Sequence, residues 1–161
     1  GRLVEYLKTL NKYIHNRFNH TGSFVTGVFS LFNEATGEIQ LSDVAHSFIY
    51  LFRNNKFSKL NAESTMPLGV EEEYTSKVSR FRLKKGDLLF ITSDGILEQT
   101  SEDKQVYGIK PIAKIINANR EACLKEMRSK ILEHLQIFRG FNNQHDDVTF
   151  MILRYNGDST E

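Results

Sequence analysis

Cysteine, tryptophan and proline are scarce in this chain. Its 161 residues include one cysteine, no tryptophan and two prolines. Because Cys123 has no second cysteine to pair with, an internal disulfide is excluded. A single thiol is typical of proteins in a reducing compartment. We therefore expect a cytoplasmic protein.

Long apolar runs and an excess of one charge are also absent. The longest apolar runs, such as FIYLF at 48–52, are much shorter than the roughly 18 residues that suggest a membrane helix. Lysine and arginine number 21 against 20 aspartates and glutamates, a formal net charge of +1. No overall field therefore favours nucleic acid or an anionic membrane. We expect no nucleic-acid partner and no membrane insertion by this segment.

The composition is that of a folded soluble domain. Hydrophobic residues make up 40% of the chain and charged residues 25%, which is ordinary for globular proteins. A length of 161 residues suits one domain, and no composition shift divides the chain. The sequence therefore predicts a single domain over 1–161.

Hydrophobic periodicity predicts helices and strands in separate groups. Helical spacing of apolar residues predicts helices over 2–18, 109–117 and 121–138. Aromatic and β-branched runs predict strands at 24–32, 39–43, 47–53, 76–83, 88–93 and 148–155. Turn residues favour hairpins between the first two strands and between 76–83 and 88–93. The last strand is apolar on both faces, which predicts a central position. Grouped strands indicate an α+β fold rather than a parallel βαβ sheet.

The stretch ITSDGILEQ, residues 91–99, ends an apolar strand at an acidic residue. Asp94-Gly95 is a strong turn dipeptide, so one interpretation is a hairpin. The other is that the carboxylate of Asp94 stands at a sheet edge in order to bind something. The polar residues that follow, 98–108, are expected to form an exposed loop.

A second acidic pair stands before the last strand. Asp146-Asp147 precedes VTFMILRY as Asp94 follows LLFITS. If these strands are antiparallel neighbours, Asp94 and Asp146 converge, and two close carboxylates need a cation or a raised pKa. Mg²⁺ and Mn²⁺ prefer such oxygen ligands. Solvated loop acids in a plain structural domain are the alternative. Zinc-ligand spacing, G-x-S-x-G, P-loop and G-x-G-x-x-G motifs are all absent from the sequence.

The order of these motifs resembles the SpoIIE/RsbU-type branch of the bacterial PPM (type 2C-like) phosphatases. The matching stretches are FVTGVFSLFNEATGEIQLSDVAHS, MPLGV, LKKGDLLFITSDGILEQ, VYG and HDDVTFMILRY. The combination of GD-x-L-x-x-x-[ST]-DG-[IV]-x-E with a terminal DD-[IV]-T is the specific part of the resemblance. It implies an antiparallel β-sandwich flanked by helices, in α-β-β-α layers.

The resemblance also implies a metal-dependent phosphoserine/phosphothreonine protein phosphatase with two Mn²⁺ or Mg²⁺ ions. Asp94 and Asp146 would be metal ligands, with Gly95 and Asp147 in supporting positions. Water activated by the ions would attack phosphorus, without a covalent phospho-enzyme. The expected partner is a phosphorylated regulatory protein of the anti-sigma-factor antagonist type. Glu98 would position the loop.

The sequence departs from the family pattern in two ways. No D-x-x-G-x-G and no Asp-(Ser/Met)-Gly-His-Gly segment occurs, so the N-terminal strands and a bridging carboxylate of the complete domain are missing. We therefore expect weak metal binding and little or no activity from this polypeptide alone. The family's Asn-Ala-Gly-His is Asp43-Val44-Ala45-His46 here, and His46 is interpreted as a turn residue.

Two further expectations follow from the missing segments. A non-catalytic protein-interaction module with a degenerate phosphatase fold is the alternative function. Missing strands would leave a sheet edge or apolar face open, especially at 148–155, and such edges pair with other chains. We therefore expect homodimerisation.

Overall fold

The computed structural model describes residues 1–157 of the chain. Within them the four helices are α1 (Arg2–Phe18), α2 (Asp94–Leu97), α3 (Lys110–Ala118) and α4 (Leu124–Arg139). The strands are β1 (Gly27–Asn33), β2 (Glu38–Val44), β3 (Ile49–Arg53), β4 (Lys56–Lys59), β5 (Ser64–Thr65), β6 (Ser79–Arg82), β7 (Leu88–Thr92) and β8 (Phe150–Arg154). Two largely antiparallel sheets with helices confirm the predicted α+β class.

The described chain divides into two compact units. The first contains residues 1–47, 60–86 and 155–157, and the second contains 48–59 and 87–154. Residues 158–161 of the predicted single domain lie outside the described residues. That the two units form one domain stays a prediction.

The first unit is built around β2. This strand pairs antiparallel with β1 along its length and with β6, and parallel with the short β5. Helix α1 contributes three buried residues, Leu3, Leu7 and Ile14, to a cluster with Val44, Leu68 and Tyr74. The predicted β1–β2 hairpin is confirmed. Its turn is closed by Asn33, whose Oδ1 accepts hydrogen bonds from the backbone N–H groups of Ala35 at 3.0 Å and Thr36 at 3.2 Å.

The second unit is an antiparallel sheet of order β4-β3-β7-β8 with α3 and α4 packed on it. Phe90 at the centre of β7 is fully buried together with Ile112 and Ile116 of α3 and Met127 and Ile131 of α4. This burial explains the apolar stripes of both helices. Pro111 stands in the first turn of α3, where no backbone N–H is required.

The predicted hairpin between 76–83 and 88–93 is wrong. β6 pairs with β2 and β7 pairs with β3 and β8, so the two strands belong to different sheets. The reason is their burial: residues of β6 alternate between half-buried and exposed, whereas β7 is buried on both faces. In its sheet β7 is hydrogen-bonded to β3 along one edge and to β8 along the other, which leaves no edge free for β6.

The predicted central position of 148–155 is also wrong. Among the described strands β8 lies at the end of its sheet, beyond β7. Phe150 and Ile152 pack against the helix-backed core, while Met151 on the other face is 51% exposed. An apolar run therefore predicted a strand correctly but not its place in the sheet.

Helices of the described region are all too short or too polar to cross a bilayer.

Candidate metal centre

The acidic segments flank two paired strands of the second unit. β7 and β8 are antiparallel, and their last paired residues are Thr92 and Phe150. The chain therefore leaves β7 toward Asp94 at the edge where it enters β8 from Asp146. The predicted adjacency of these two strands is confirmed.

Asp94 does not form a hairpin turn. Ser93 is extended, with φ −72° and ψ 168°, and Asp94 opens the short helix α2. Its carbonyl oxygen accepts a hydrogen bond from the N–H of Glu98 at 2.8 Å. The helix forms because Ile96 and Leu97 are buried in the core of the second unit. The hairpin interpretation is therefore wrong, and the Asp94 side chain is left exposed at the sheet edge.

Gly95 is the point at which the two acidic segments touch. A Cβ at this position would lie 2.3 Å from the carbonyl oxygen of Asp147 and 3.4 Å from the carbonyl carbon of Asp146. Only glycine permits this approach, because the neighbouring atoms are backbone and cannot swing away. The residue after Asp94 thus packs directly on the carbonyl group of Asp147, in the peptide that leads from Asp147 into Val148.

Ser93 joins the same two segments by hydrogen bonds. Its N–H donates to the carbonyl of Thr149 at 2.9 Å, and its Oγ donates to the carbonyl of Asp147 at 3.1 Å. The N–H of Thr149 donates back to Ser93 Oγ at 3.2 Å. The sequence prediction missed this residue. Its signal is a hydroxyl at the end of an apolar run, immediately before the acid.

The donor set at this edge suits a hard, hydrated cation. Asp94, Asp146 and Asp147 are all exposed to solvent. The N–H of Asp147 donates to Asp146 Oδ1 at 2.7 Å, which fixes that carboxylate and is compatible with coordination through Oδ2. Within residues 1–157 no group of three His, Cys, Asp or Glu side chains is arranged to hold a metal. Exposed carboxylate oxygens such as those of Asp94 and Asp146 are the kind of donor that hard divalent cations accept.

The loop that carries Asp146 is fastened to the segment after α2. His145 Nε2 and Thr100 Oγ1 are 2.9 Å apart, and Gln99 Nε2 donates to the carbonyl of Asn143 at 3.2 Å. The N–H of Phe141 donates to Glu102 Oε1 at 2.8 Å. The prediction of an exposed loop over 98–108 is therefore only partly right, because Gln99 is 1% exposed and Tyr107 is 3% exposed.

His46 lies in a turn of the first unit. Asp43 Oδ1 accepts hydrogen bonds from the backbone N–H groups of His46 at 2.8 Å and Ser47 at 3.0 Å. Ala45, at the position of the family's glycine, keeps a left-handed conformation with φ +50°. This geometry fits the interpretation of His46 as a turn residue. Glu98 is exposed and follows α2 directly.

Comparison with known proteins decides the family. The family model described as Stage II sporulation protein E (SpoIIE) matches residues 2–156. The chain belongs to the SpoIIE family. Among curated relatives of this SpoIIE-family chain, the phosphoserine phosphatase RsbU of Bacillus subtilis is 27% identical over 153 residues, which are 93% of this chain and 44% of RsbU.

Solved structures show the same fold. The SiaA-PP2C domain of Pseudomonas aeruginosa superposes with a TM-score of 0.80 at 14% identity, covering 94% of this chain and 60% of that one. The RsbU and RsbW domains of Rv1364c from Mycobacterium tuberculosis give a TM-score of 0.75 at 22% identity, covering 97% and 43%. The predicted PPM-type fold is confirmed. This SpoIIE-family chain spans less than two thirds of each of these relatives.

Proposed function

We propose that this SpoIIE-family chain is part of a metal-dependent phosphoserine/phosphothreonine protein phosphatase. Family membership and the similarity to RsbU support the reaction class. The observation that carries the proposal is the backbone contact of Gly95 with Asp147. Through it, two acidic segments that are about fifty positions apart in sequence share one edge of a sheet.

In this proposal the carboxylates of Asp94 and Asp146 bind Mn²⁺ or Mg²⁺. Gly95 allows the close backbone approach, and the N–H of Asp147 orients Asp146. A divalent ion held there would lower the pKa of a bound water and neutralise charge on a phosphoryl group.

Ser93 serves as a link between the segments rather than as a nucleophile. Its Oγ donates to Asp147 and accepts from Thr149, so the hydroxyl is committed to holding the edge together. An activated nucleophilic serine would instead have a general base within hydrogen-bond reach. Hydrolysis by water, without a phospho-enzyme, is therefore the chemistry that these residues support.

The substrate class is proposed from the family resemblance, and the assembly is proposed from the end strand of the second unit's sheet. We expect a phosphorylated regulatory protein of the anti-sigma-factor antagonist type as substrate. Two exposed carboxylates hold a divalent ion weakly, so we expect little or no activity from the 161 residues alone.

Homodimerisation has a physical basis in β8, which lies at the end of the described sheet with Met151 exposed. The alternative function is a non-catalytic interaction module.

Manganese titration tests the metal site. If the dissociation constant is about 1 mM, free Mn²⁺ at about ten times that concentration should raise the free energy of unfolding of the wild-type chain by about 1.4 kcal/mol. Asp94→Asn and Asp146→Asn should each remove most of this shift, because each deletes one charged ligand. Asp103→Asn is the matched control, since Asp103 is an exposed acid of the same unit, and it should behave as the wild type.

Gly95→Ala sharpens the same experiment. It leaves every carboxylate in place but forces the two segments apart, because the new Cβ would lie 2.3 Å from Asp147 O. We expect loss of the manganese shift in this variant also. If Mn²⁺ does not change the melting temperature of the wild-type chain, the result favours the alternative function, a non-catalytic interaction module. A shift that persists in both Asn variants would place the ion elsewhere and refute the proposed ligands.

A further inference from the structure

A groove lies between α3 and α4 in the second unit, independent of the acidic edge. Its volume is about 370 Å³, toward the lower end of the range for ligand sites in proteins. Three apolar residues of α3 line it, Pro111, Ile115 and Ala118. Lys110 and Lys114 line it from the same helix, and His134 lines it from α4. The groove thus combines an apolar surface with basic groups.

The two lysines of α3 are available to a ligand. Lys110 and Lys114 are exposed and stand four positions apart, which places them on one face about 6 Å apart along the helix axis. The ion pairs of the described residues include neither of them. Lys130 of α4 differs, because its ammonium group pairs with Glu126 at 3.0 Å.

His134 adds a polar group whose orientation is fixed. Its Nδ1 lies 3.1 Å from the hydroxyl of Tyr107, and the rings of these two residues are in contact, with centroids 5.6 Å apart. Tyr107 is buried, so this contact holds the imidazole in place. Nε2 is the nitrogen that remains for a ligand.

We propose that this groove binds an acidic segment of a partner protein, with one apolar side chain on Pro111 and Ile115 and carboxylates on Lys110 and Lys114. Charge complementarity selects the occupant, since none of the described residues that line the groove is acidic. The lysine spacing matches two carboxylates one helical turn apart, as in a helix laid in a groove. The described lining holds no Phe, Tyr or Trp, and its one aromatic ring, the imidazole of His134, is held against Tyr107, which disfavours single-stranded nucleic acid. This binding surface is additional to the proposed phosphatase function and does not depend on it.

Fluorescence anisotropy with a short labelled peptide tests the groove. The peptide carries glutamates one helical turn apart around a leucine. We expect saturable binding that Lys110→Glu combined with Lys114→Glu weakens by about tenfold or more, which corresponds to about 1.4 kcal/mol. The matched control is Lys8→Glu with Lys12→Glu on α1, also two exposed lysines four positions apart. It makes the same change in net charge and should alter the affinity less than about twofold.

Two further comparisons separate a specific groove from general attraction to anions. Ala118→Tyr keeps every charge but fills the groove, and it should also weaken binding. A peptide with serine in place of leucine should bind more weakly than the parent peptide. The proposal is overturned if the wild-type chain does not bind the parent peptide, or if both charge-reversal variants lose affinity equally. It is also overturned if a single-stranded oligonucleotide of equal charge competes as well as the peptide does.

Discussion

The two units of the chain cover their sheets to different extents. In the second unit two helices and the sheet enclose a cluster of twelve buried residues, whereas in the first unit one helix contributes to a cluster of six. β7 is almost wholly buried, but the apolar residues Val28, Phe29, Leu31 and Phe32 of β1 are only half-buried. The acidic edge belongs to the unit with the larger core, where rigid elements can hold its geometry.

The ion pairs of the two units also differ in burial, and the more buried pair again belongs to the second unit. In the second unit the single Nε–H group of Arg53 is shared between both carboxylate oxygens of Asp87, at 3.1 and 3.0 Å, and Nη2 donates to Oδ2 at 2.5 Å. The Asp87 side chain is only 4% exposed. The hydrogen bonds to Asp87 raise the pKa of Arg53. In the first unit the ion pair of Lys77 with Glu63 lies in solvent, with side chains 56% and 70% exposed. Burial therefore decides how much each pair contributes.

Removing one partner from each ion pair should give the largest difference between the units. Asp87→Ala leaves Arg53 without its buried carboxylate and should lower the free energy of unfolding by about 3 kcal/mol. Glu63→Ala should change it by less than about 0.5 kcal/mol. Urea unfolding followed by circular dichroism measures both. Equal losses in the free energy of unfolding would mean that burial does not make the Arg53–Asp87 pair more stabilising than the Lys77–Glu63 pair.

A smaller difference between the two units, in how stability depends on pH, is expected from two buried tyrosines, Tyr107 and Tyr74. Burial raises the pKa of Tyr107 in the second unit to about 12 and raises the pKa of Tyr74 in the first unit. The protonated phenol is then favoured in the folded chain, so this contribution is complete below pH 10 and is lost as pH rises from 10 to about 12. Tyr107→Phe should cost about 1 kcal/mol at neutral pH, through the lost bond to His134. It should also reduce the fall in stability above pH 10, which for Tyr107 amounts to about 2–3 kcal/mol.

Alkaline unfolding curves distinguish the two residues. Tyr74→Phe loses the hydroxyl contact with Thr65, 2.8 Å away, and this hydrogen bond opposes the rise in pKa. Its curve should therefore stay closer to that of the wild type above pH 10. An alkaline slope that Tyr107→Phe leaves unchanged would show that another group causes the loss of stability.

Local patterns predicted the helices and the first hairpin, whereas pairing between distant segments was predicted poorly. The stripe of α4 and the turn at Asn33 are determined by residues within a few positions of each other. The partners of β6 and β8 are chosen by burial in the whole unit, and no local signal distinguishes a strand at the sheet end from an interior strand. For this reason the 76–83/88–93 hairpin and the central position of 148–155 were wrong.

The candidate site shows the same division. The adjacency of β7 and β8 could be predicted, because Asp94 and Asp146 flank these two apolar runs and match a family motif. Ser93 and Gln99 were missed, because each acts through hydrogen bonds to residues more than forty positions away. A serine or glutamine beside a motif gives no indication of such a partner until the chain is folded.

The smallest predicted effect concerns the turn after β2 in the first unit. Ala45 has φ +50°, a conformation that costs a residue with a Cβ about 1–2 kcal/mol, while glycine loses about 0.5–1 kcal/mol more backbone entropy on folding. Ala45→Gly should therefore raise the free energy of unfolding by about 0.5–1 kcal/mol. Ala35→Gly is the control in the β1–β2 turn, because Ala35 is not among the described residues of positive φ, and it should give no gain. If neither variant is stabilised, the two hydrogen bonds that Asp43 accepts from His46 and Ser47 hold this turn without appreciable strain at Ala45.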